Sequence, residues 1–178
     1  MSPSTPILPA LPALSIRTDA MVADAASIRR IVDSTAFFRP AEVDVAVELV
    51  EERLAKGEPS GYHFVFFDEA STQGDPAAVR TVGYACFGPI ACTVDSFDLY
   101  WIAVDASCQG RGLGKRVMRA AEDRIGAMGG RRVYIETSSQ PLYEPTRRFY
   151  LASGYAEQAR LPDFYSDGDD KIIYARRL

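Results

Sequence analysis

Three glycines stand within five residues near the centre of the chain, at positions 110, 112 and 114. Glycine lets the backbone approach a ligand closely, and unpaired N–H groups at the start of a helix favour an anion. The ionisable residues from 109 to 121 are all basic, namely Arg111, Lys115, Arg116 and Arg119. Because the whole chain carries a net charge of −4, this local excess of positive charge predicts a turn that binds phosphate groups.

Spacing separates the kinds of phosphate-binding turn. A P-loop is excluded, because Lys115 is followed by Arg116 instead of Ser or Thr, and no glycine lies five residues before Gly114. A dinucleotide fingerprint needs a glycine where Lys115 stands. Glu136, twenty-two residues after Gly114, could still act as a ribose-binding acid, so a nucleotide-linked oxidoreductase stays open as an alternative.

The third pattern, Q-x-x-G-x-G, is matched by Gln109, Gly112 and Gly114. Here the chain resembles the GNAT superfamily of acyl-CoA-dependent N-acyltransferases, in which this turn cradles the pyrophosphate of coenzyme A. Residues 146–155 are similar to a second family motif, A-x-x-(F/L)-Y-x-x-x-G-(F/Y), with Tyr150 as its tyrosine. The family often has Asn seven residues and Ala four residues before that tyrosine, where this chain has Tyr143 and Thr146.

The resemblance covers roughly residues 15–178 and implies acetyl-CoA as co-substrate. Its pyrophosphate would lie on the turn, formed by Gln109, Gly110, Arg111, Gly112, Leu113, Gly114 and Lys115. Its pantetheine arm would run along the backbone of Ile102, Ala103 and Val104 like an added strand. Since the usual Asn is replaced, Ser138, Ser139 or Tyr143 could contact that arm.

Amide formation from a thioester needs a neutral amine, a polarised carbonyl and a proton for the departing sulfur. The resemblance implies that Tyr150 is the general acid; the alternative is a packing residue on an amphipathic helix. Asp98 is the first candidate base, because it stands eleven residues before Gln109, where histone-modifying members carry a catalytic glutamate. Its alternative is a solvated carboxylate at a strand end. Glu136 is the second candidate base.

The composition predicts one soluble cytoplasmic domain. The chain has 178 residues, of which 47% are hydrophobic and 25% charged. Its acidity disfavours nucleic-acid binding, and the sequence shows no apolar run of membrane-spanning length. Cys86, Cys92 and Cys108 lack the spacing of a disulfide framework or a zinc site, so no metal is expected. Two copies of this chain could form a homodimer.

The predicted element order is β-α-α-β-β-β-α-β-α-β-β, which disfavours a doubly wound domain. Strands are predicted over residues 14–18, 62–68, 81–88, 99–104, 132–136, 155–161 and 171–176. Helices are predicted from a cap at Asp19 or Asp24 to Phe37, from Pro40 to Gly57, from Leu113 to Met128 and from Thr146 to Ser153. A turn-rich linker over 71–76 should join the second and third strands, and an acidic loop over 163–170 the last two.

The fold class expected from this order is α/β (α+β). It is a single GNAT-like domain, residues 15–178, with a mixed, mostly antiparallel sheet of six to seven strands and about four helices. Residues 1–14 precede it as an extended arm with proline at every third position.

The expected function is transfer of acetyl from acetyl-CoA to a primary amine of a small molecule or peptide. The alternative is a non-catalytic acyl-CoA-binding or interaction module. Phe37, Phe38 and Arg39 are candidates to touch the acceptor. Charge does not identify the acceptor: Asp163, Asp167, Asp169 and Asp170 could attract a polyamine, an aminoglycoside or a lysine side chain, whereas Arg39, Arg147 and Arg148 could hold an amino-acid carboxylate.

Overall fold

The computed structural model describes residues 14–70 and 79–178. The predicted proline-rich arm lies outside these residues, except for Leu14, which begins the first strand. The linker predicted over 71–76 also lies outside them. In the described part of the chain, no helix is long and apolar enough to cross a membrane.

Strands and helices follow one another in the predicted order. The strands are β1 (Leu14–Arg17), β2 (His63–Ala70), β3 (Val79–Pro89), β4 (Ser96–Val104), β5 (Arg132–Ser138), β6 (Ala156–Ser166) and β7 (Asp169–Arg177). The helices are α1 (Ala23–Ser34), α2 (Pro40–Lys56), α3 (Leu113–Ala127) and α4 (Glu144–Ala152).

The strands form one sheet in the order β1-β2-β3-β4-β5-β7-β6. All neighbours are antiparallel except β4 and β5, which are joined through α3 and run parallel. A parallel connection needs a crossover, and α3 provides it. The predicted α/β class, with a mixed and mostly antiparallel sheet and four helices, is therefore confirmed.

Each face of the sheet carries its own hydrophobic core. One core lies under α3 and α4, and its largest members include Phe67, Phe87, Leu113 and Ile125. The other lies under α1 and α2, and includes Ile28, Val50, Phe64, Phe66 and Tyr84. Since side chains alternate along a strand, each central strand contributes residues to both cores.

The start of α1 differs from the prediction. Asp24 does not cap the helix from outside but lies in its first turn, buried, where it accepts a hydrogen bond from the Met21 N–H at 2.7 Å. Its carboxylate also pairs with Arg17, which binds Asp68 of β2 at 2.7 Å. This cluster explains the difference, because a carboxylate shared with Arg17 must point into the protein.

The acidic segment 163–170 also differs from the prediction, since most of it is strand and not loop. β6 continues to Ser166, which pairs with Asp169, and leaves a two-residue turn at Asp167 and Gly168. Gly168 has φ 75°, and its N–H donates to the Asp163 carboxylate at 2.7 Å. Asp-Gly is a strong signal for a tight hairpin, and the acidic composition obscured it.

A buried carboxylate ties the sheet to the turn that precedes α3. Asp105 follows β4 and is 3% exposed. It pairs with Arg30 of α1 and, at 2.7 Å, with Arg80 of β3. The Ser107 N–H and hydroxyl donate to it at 3.0 and 2.6 Å. Burial alone would raise the pKa of Asp105, but the Ser107 hydrogen bonds and the two arginines outweigh it and lower that pKa.

We expect Asp105→Asn to lower the free energy of unfolding by about 2 kcal/mol at pH 7, because two guanidinium groups lose their counter-charge. Since the folded-state pKa lies below the unfolded value, the carboxylate stabilises the protein at higher pH. That contribution is lost as the pH falls through the folded-state pKa. The gap in the free energy of unfolding between the wild type and the variant should therefore be constant above about pH 5 and should narrow below about pH 4.

Urea denaturation at several pH values measures this gap. Asp123→Asn is the matched control, because its pair with Arg119 is exposed and should contribute about 0.5 kcal/mol or less. A gap that does not change with pH would show that Asp105 stabilises the fold through packing alone.

Candidate active site

The sheet is split between its two parallel strands. β4 and β5 pair at only three positions, where residues 96–98 lie beside residues 132–134. Beyond this point the strands diverge, and a cleft of about 580 Å³ occupies the space between them. It passes through the sheet, because its lining includes the α1–α2 connection on one face and Tyr150 of α4 on the other.

The divergence leaves one edge of β4 without a partner strand. The Asp105 N–H donates to the Val82 carbonyl of β3 at 2.9 Å. Because N–H groups alternate in direction along a strand, the Ala103 main chain also faces β3, whereas Ile102 and Val104 face the split. The Val104 carbonyl accepts a hydrogen bond from Gln109 Nε2 at 3.2 Å. The Ile102 main chain and the Val104 N–H thus remain open to the cleft.

A bulge in β4 lies at the beginning of the split. Cys86 and Phe87 of β3 pair with Trp101 and Leu99, so Tyr100 is an extra residue. A bulge bends its strand and increases the local twist, which accompanies the divergence from β5. The Trp101 ring packs on Phe38, with 5.0 Å between their centroids. No sequence pattern pointed to the bulge, because it depends on the register with β3.

The glycine turn presents a row of N–H groups. The first main-chain bond that closes α3 runs from the Arg116 N–H to the Gly112 carbonyl at 3.3 Å. Among the described residues, no acceptor receives the N–H groups of residues 110–115. Gly110 and Gly112 have φ values of 73° and 78°, which only glycine adopts at little cost. Arg111 Nε is also shielded from solvent without a partner among these residues.

This arrangement is suited to an anion, because the N–H groups, a guanidinium and the positive end of α3 lie together. Gln109 lines the cleft, and residues 110–115 follow it into α3 without lining the cleft themselves.

Tyr150 lines the cleft from α4 and is 5% exposed. Its ring packs against Tyr155 and Tyr174, with centroid distances of 6.3 and 5.9 Å. Burial, with a smaller effect from Tyr174, raises the pKa of the Tyr150 phenol well above its usual value. The phenol therefore stays protonated at neutral pH and can donate a proton or a hydrogen bond into the cleft.

The two predicted bases lie on the same face of the sheet, opposite α3, but only Glu136 lines the cleft. Lys171 of β7 lies 2.5 Å from the Glu136 carboxylate, and its ammonium lies 3.8 Å from the centre of the Phe164 ring. Asp98 is half-buried at the last paired position of β4, beside Tyr134. Burial, and then the charge of Glu136, raise the pKa of Asp98, whereas Lys171 lowers it.

Ser138 and Tyr143, predicted to contact a bound arm, both line the cleft. The Ser138 hydroxyl donates to Asp169 Oδ1 at 2.5 Å, and the Ser139 N–H donates to the same oxygen at 3.2 Å. Tyr143 is half-buried, and its ring centroid lies 6.3 Å from that of Phe37. The end of β5, the start of α4 and the last hairpin are thus joined at this wall.

The predicted acceptor residues Phe37, Phe38 and Arg39 also line the cleft. Arg147 does not, because its guanidinium donates to the carbonyls of Ser138 and Gln140, each at 2.8 Å. Arg148 is outside the cleft and pairs with Glu144. The lining residues that the sequence did not predict include Glu42, Tyr100, Trp101 and Tyr165. Glu42, three residues after Arg39, could have been found as an N-terminal cap of α2.

Of the predicted residues, the cleft brings together Tyr150, Glu136, Ile102, Ala103, Val104, Gln109, Ser138 and Tyr143. Within residues 14–70 and 79–178, no cluster of His, Cys, Asp or Glu is arranged to hold a metal ion.

Comparison with known proteins identifies relatives among the acetyltransferases. A solved structure of a protein from Desulfovibrio desulfuricans, assigned to the GNAT family of acetyltransferases, is 43% identical. It matches with a TM-score of 0.85 over 93% of this chain and 99% of that one. A Salmonella typhimurium protein, solved with its cofactor acetyl-CoA, has the same fold at 20% identity and a TM-score of 0.67, covering 93% and 94% of the two chains.

The sequence is also 29% identical over 76 residues to an uncharacterised N-acetyltransferase of Methanocaldococcus jannaschii. That stretch covers 43% of this chain and 48% of the relative, so the chain matches about half the length of that protein. The model of the acetyltransferase (GNAT) family matches residues 28–155, well over half of the chain. The chain belongs to the GNAT acetyltransferase family.

Proposed function

We propose that this protein is an N-acetyltransferase that moves acetyl from acetyl-CoA to a primary amine of a small molecule or peptide. The observation that carries the proposal is the split between β4 and β5. The open N–H groups of residues 110–115 follow the C-terminal end of β4. The free edge of β4 runs along the split, and the protonated phenol of Tyr150 lies within it.

The residues present suit coenzyme A. The open N–H groups and Arg111 would bind its pyrophosphate, and Lys115 adds a positive charge beside them. The Val104 N–H and the Ile102 carbonyl would pair with the amide groups of the pantetheine arm as with a short strand. Ala103 would contribute only its side chain, because its main chain faces β3.

Acetyl-CoA supplies the acetyl group as a reactive thioester. The Ile102 N–H, which lies farther from the glycine turn than the Val104 N–H, would donate to the acetyl oxygen and stabilise negative charge that develops there. Tyr150 would donate a hydrogen bond to the departing sulfur as negative charge develops there, its proton would complete the free thiol, and the phenolate would then be reprotonated from solvent. Glu136 would accept the proton that the attacking amine loses, directly or through water. Lys171 holds the Glu136 carboxylate in position through an ion pair.

Steady-state release of free thiol from acetyl-CoA across a panel of amines tests this function. Turnover of at least one amine is expected. Tight binding of coenzyme A without turnover of any amine would support the non-catalytic module instead, and binding of NAD but not coenzyme A would support an oxidoreductase. The cytoplasmic location and the homodimer stay predictions.

We expect Gly112→Ala to weaken coenzyme A binding by about tenfold or more. The left-handed backbone at position 112 costs a residue with a Cβ about 1–2 kcal/mol, and the new methyl group points into open space, where the proposed phosphate would lie. Calorimetric titration measures the affinity.

Gly126→Ala is the matched control, because its Cβ also meets nothing within 4 Å but lies in the last turn of α3, at the opposite end from the glycine turn. This change should stabilise the protein by up to about 1 kcal/mol and leave coenzyme A binding unchanged. If both variants bind as the wild type does, the pyrophosphate does not lie on this turn.

We expect Tyr150→Phe to lower kcat by about a hundredfold and to change the coenzyme A affinity less than twofold, because only the proton donor is removed. Tyr174→Phe is the control: Tyr174 is a buried neighbouring tyrosine that does not line the cleft. Kinetics and titration on the same preparations separate the effects. Equal losses of turnover and affinity would mean that Tyr150 acts only in packing.

We expect Glu136→Gln to lower kcat by roughly ten- to a hundredfold at pH 7, and Asp98→Asn to lower it less than threefold. The deficit of the Gln variant should shrink as the pH rises toward 10, because a larger fraction of the amine is then neutral without a base. Complete pH–rate profiles of both variants measure this. The reverse order of effects would identify Asp98 as the base.

A further inference from the structure

We infer that the acceptor carries a second positive charge besides the amine that is acetylated, and that Asp169 binds this second cation. The inference rests on the proposed function and narrows its acceptor to diamines, polyamines and other amines with a further ammonium group. It also proposes a role for the last hairpin of the sheet.

Asp169 is a buried carboxylate that faces the cleft. It begins β7, is 7% exposed and lines the cleft on the same face as Glu136. The Ser138 hydroxyl and the Ser139 N–H both donate to Oδ1. Among the described residues, no group donates to Oδ2, the second oxygen of this carboxylate.

The other charges along the cleft are neutralised within the protein. Glu42 is paired with Arg39, and Glu136 is paired with Lys171. Arg147, the cation bonded to the Ser138 carbonyl, directs one nitrogen to two main-chain carbonyls. Within the described ranges, no cationic group lies within 4.0 Å of Asp169; Arg39, which is paired with Glu42, acts on Asp169 only over a longer distance.

A buried carboxylate without an ion-pair partner is costly, and a cation from outside relieves that cost. Its two hydrogen bonds stabilise one oxygen only. The lining therefore has a net negative charge that an amine with a second ammonium group complements. A free amino acid fits less well, because its own carboxylate would be repelled.

Aromatic rings surround the same part of the cleft. Tyr143 and Tyr165 line it with Phe37, and ring faces attract an ammonium group. Burial raises the pKa of Tyr165 to about 12, and the charges of Glu136 and Asp169 contribute to this rise. The phenol thus lies in the negative field that a cationic acceptor would enter.

The candidate base and the proposed cation site lie at different positions along β5. Glu136 and Ser138 point to the same face and lie about 7 Å apart, as residues two positions apart in a strand do. Asp169 is bonded to Ser138, so the candidate base and the cation site are neighbours along the strand. An acceptor with two amines can then place one beside each carboxylate.

Asp169 could instead serve only to hold the turn at residues 138 and 139. Asp169→Asn separates these roles, because the amide oxygen still accepts hydrogen bonds from Ser138 and Ser139 but carries no charge. Asp167→Asn is the matched control: it removes the same charge two residues away, at the exposed hairpin turn.

The experiment compares α,ω-diamines with amino alcohols of the same length, whose far end is polar but uncharged. For the wild type we expect kcat/KM to be about ten- to a hundredfold higher for the best diamine, the range of a hydrogen bond to a charged group. Asp169→Asn should reduce this preference to about threefold or less by raising KM for the diamine. Asp167→Asn should keep it.

Measurements of amine binding test the inference independently of turnover. Calorimetric titration of each amine into the protein saturated with coenzyme A should show at least tenfold tighter binding of the diamine, lost in Asp169→Asn. This preference should also fall as salt increases. If nothing is acetylated but the diamine binds through Asp169, only the proposed function fails. Equal binding of both amines to the wild type, or a preference unchanged in Asp169→Asn, would overturn the inference.

Discussion

The short pairing between β4 and β5 is the constraint on which the site depends. Two parallel strands that pair at three positions and then diverge leave main-chain N–H and C=O groups that the sheet does not satisfy. Such groups in a protein interior need partners from water or from a ligand. The free edge of β4 is therefore open to an extended ligand such as the proposed one, and the cleft lies where none of the described strands fills the sheet.

Two carboxylate contacts hold this opening in place. Asp105 binds the start of the glycine turn to α1 and β3, so the N–H groups of the turn are presented from a fixed base. On the other wall, Asp169 binds the end of β5 to the last hairpin. Neither Asp105 nor Asp169 is placed among the proposed reacting groups, yet each fixes one wall of the cleft in which those groups lie.

The parts of the site that are local in sequence could be predicted. The glycine turn, the basic residues around it and the tyrosine of α4 belong to contiguous motifs, and their backbone requirements can be read from residue types. The whole order of elements could also be predicted, because hydrophobic periodicity and Gly or Pro boundaries act over short distances.

What could not be predicted depends on register between distant segments. Asp98 and Glu136 look equivalent in sequence, and only the point at which β4 and β5 diverge puts one of them in the cleft. Lys171 and Asp169 are two residues apart on one face of β7. Lys171 pairs with Glu136 and Asp169 binds Ser138, and both contacts depend on the register of β7 beside β5. The sequence leaves Arg147 as a candidate for substrate binding, because its bonds to the carbonyls of Ser138 and Gln140 depend on the tertiary structure. The bulge at Tyr100 was likewise hidden in the pairing with β3.

The two-residue turn at Asp167 and Gly168 has a consequence for how the family can diversify. The segments proposed to hold the acetyl donor lie in the middle of the chain and in α4, whereas Asp169, Lys171 and Tyr165 all belong to the hairpin near the C-terminus. A tight turn can be lengthened or exchanged without moving the strands that enter it. Grafting this one hairpin would therefore change the proposed acceptor contacts and the partner of Glu136, while the glycine turn, the free edge of β4 and Tyr150 remain in place.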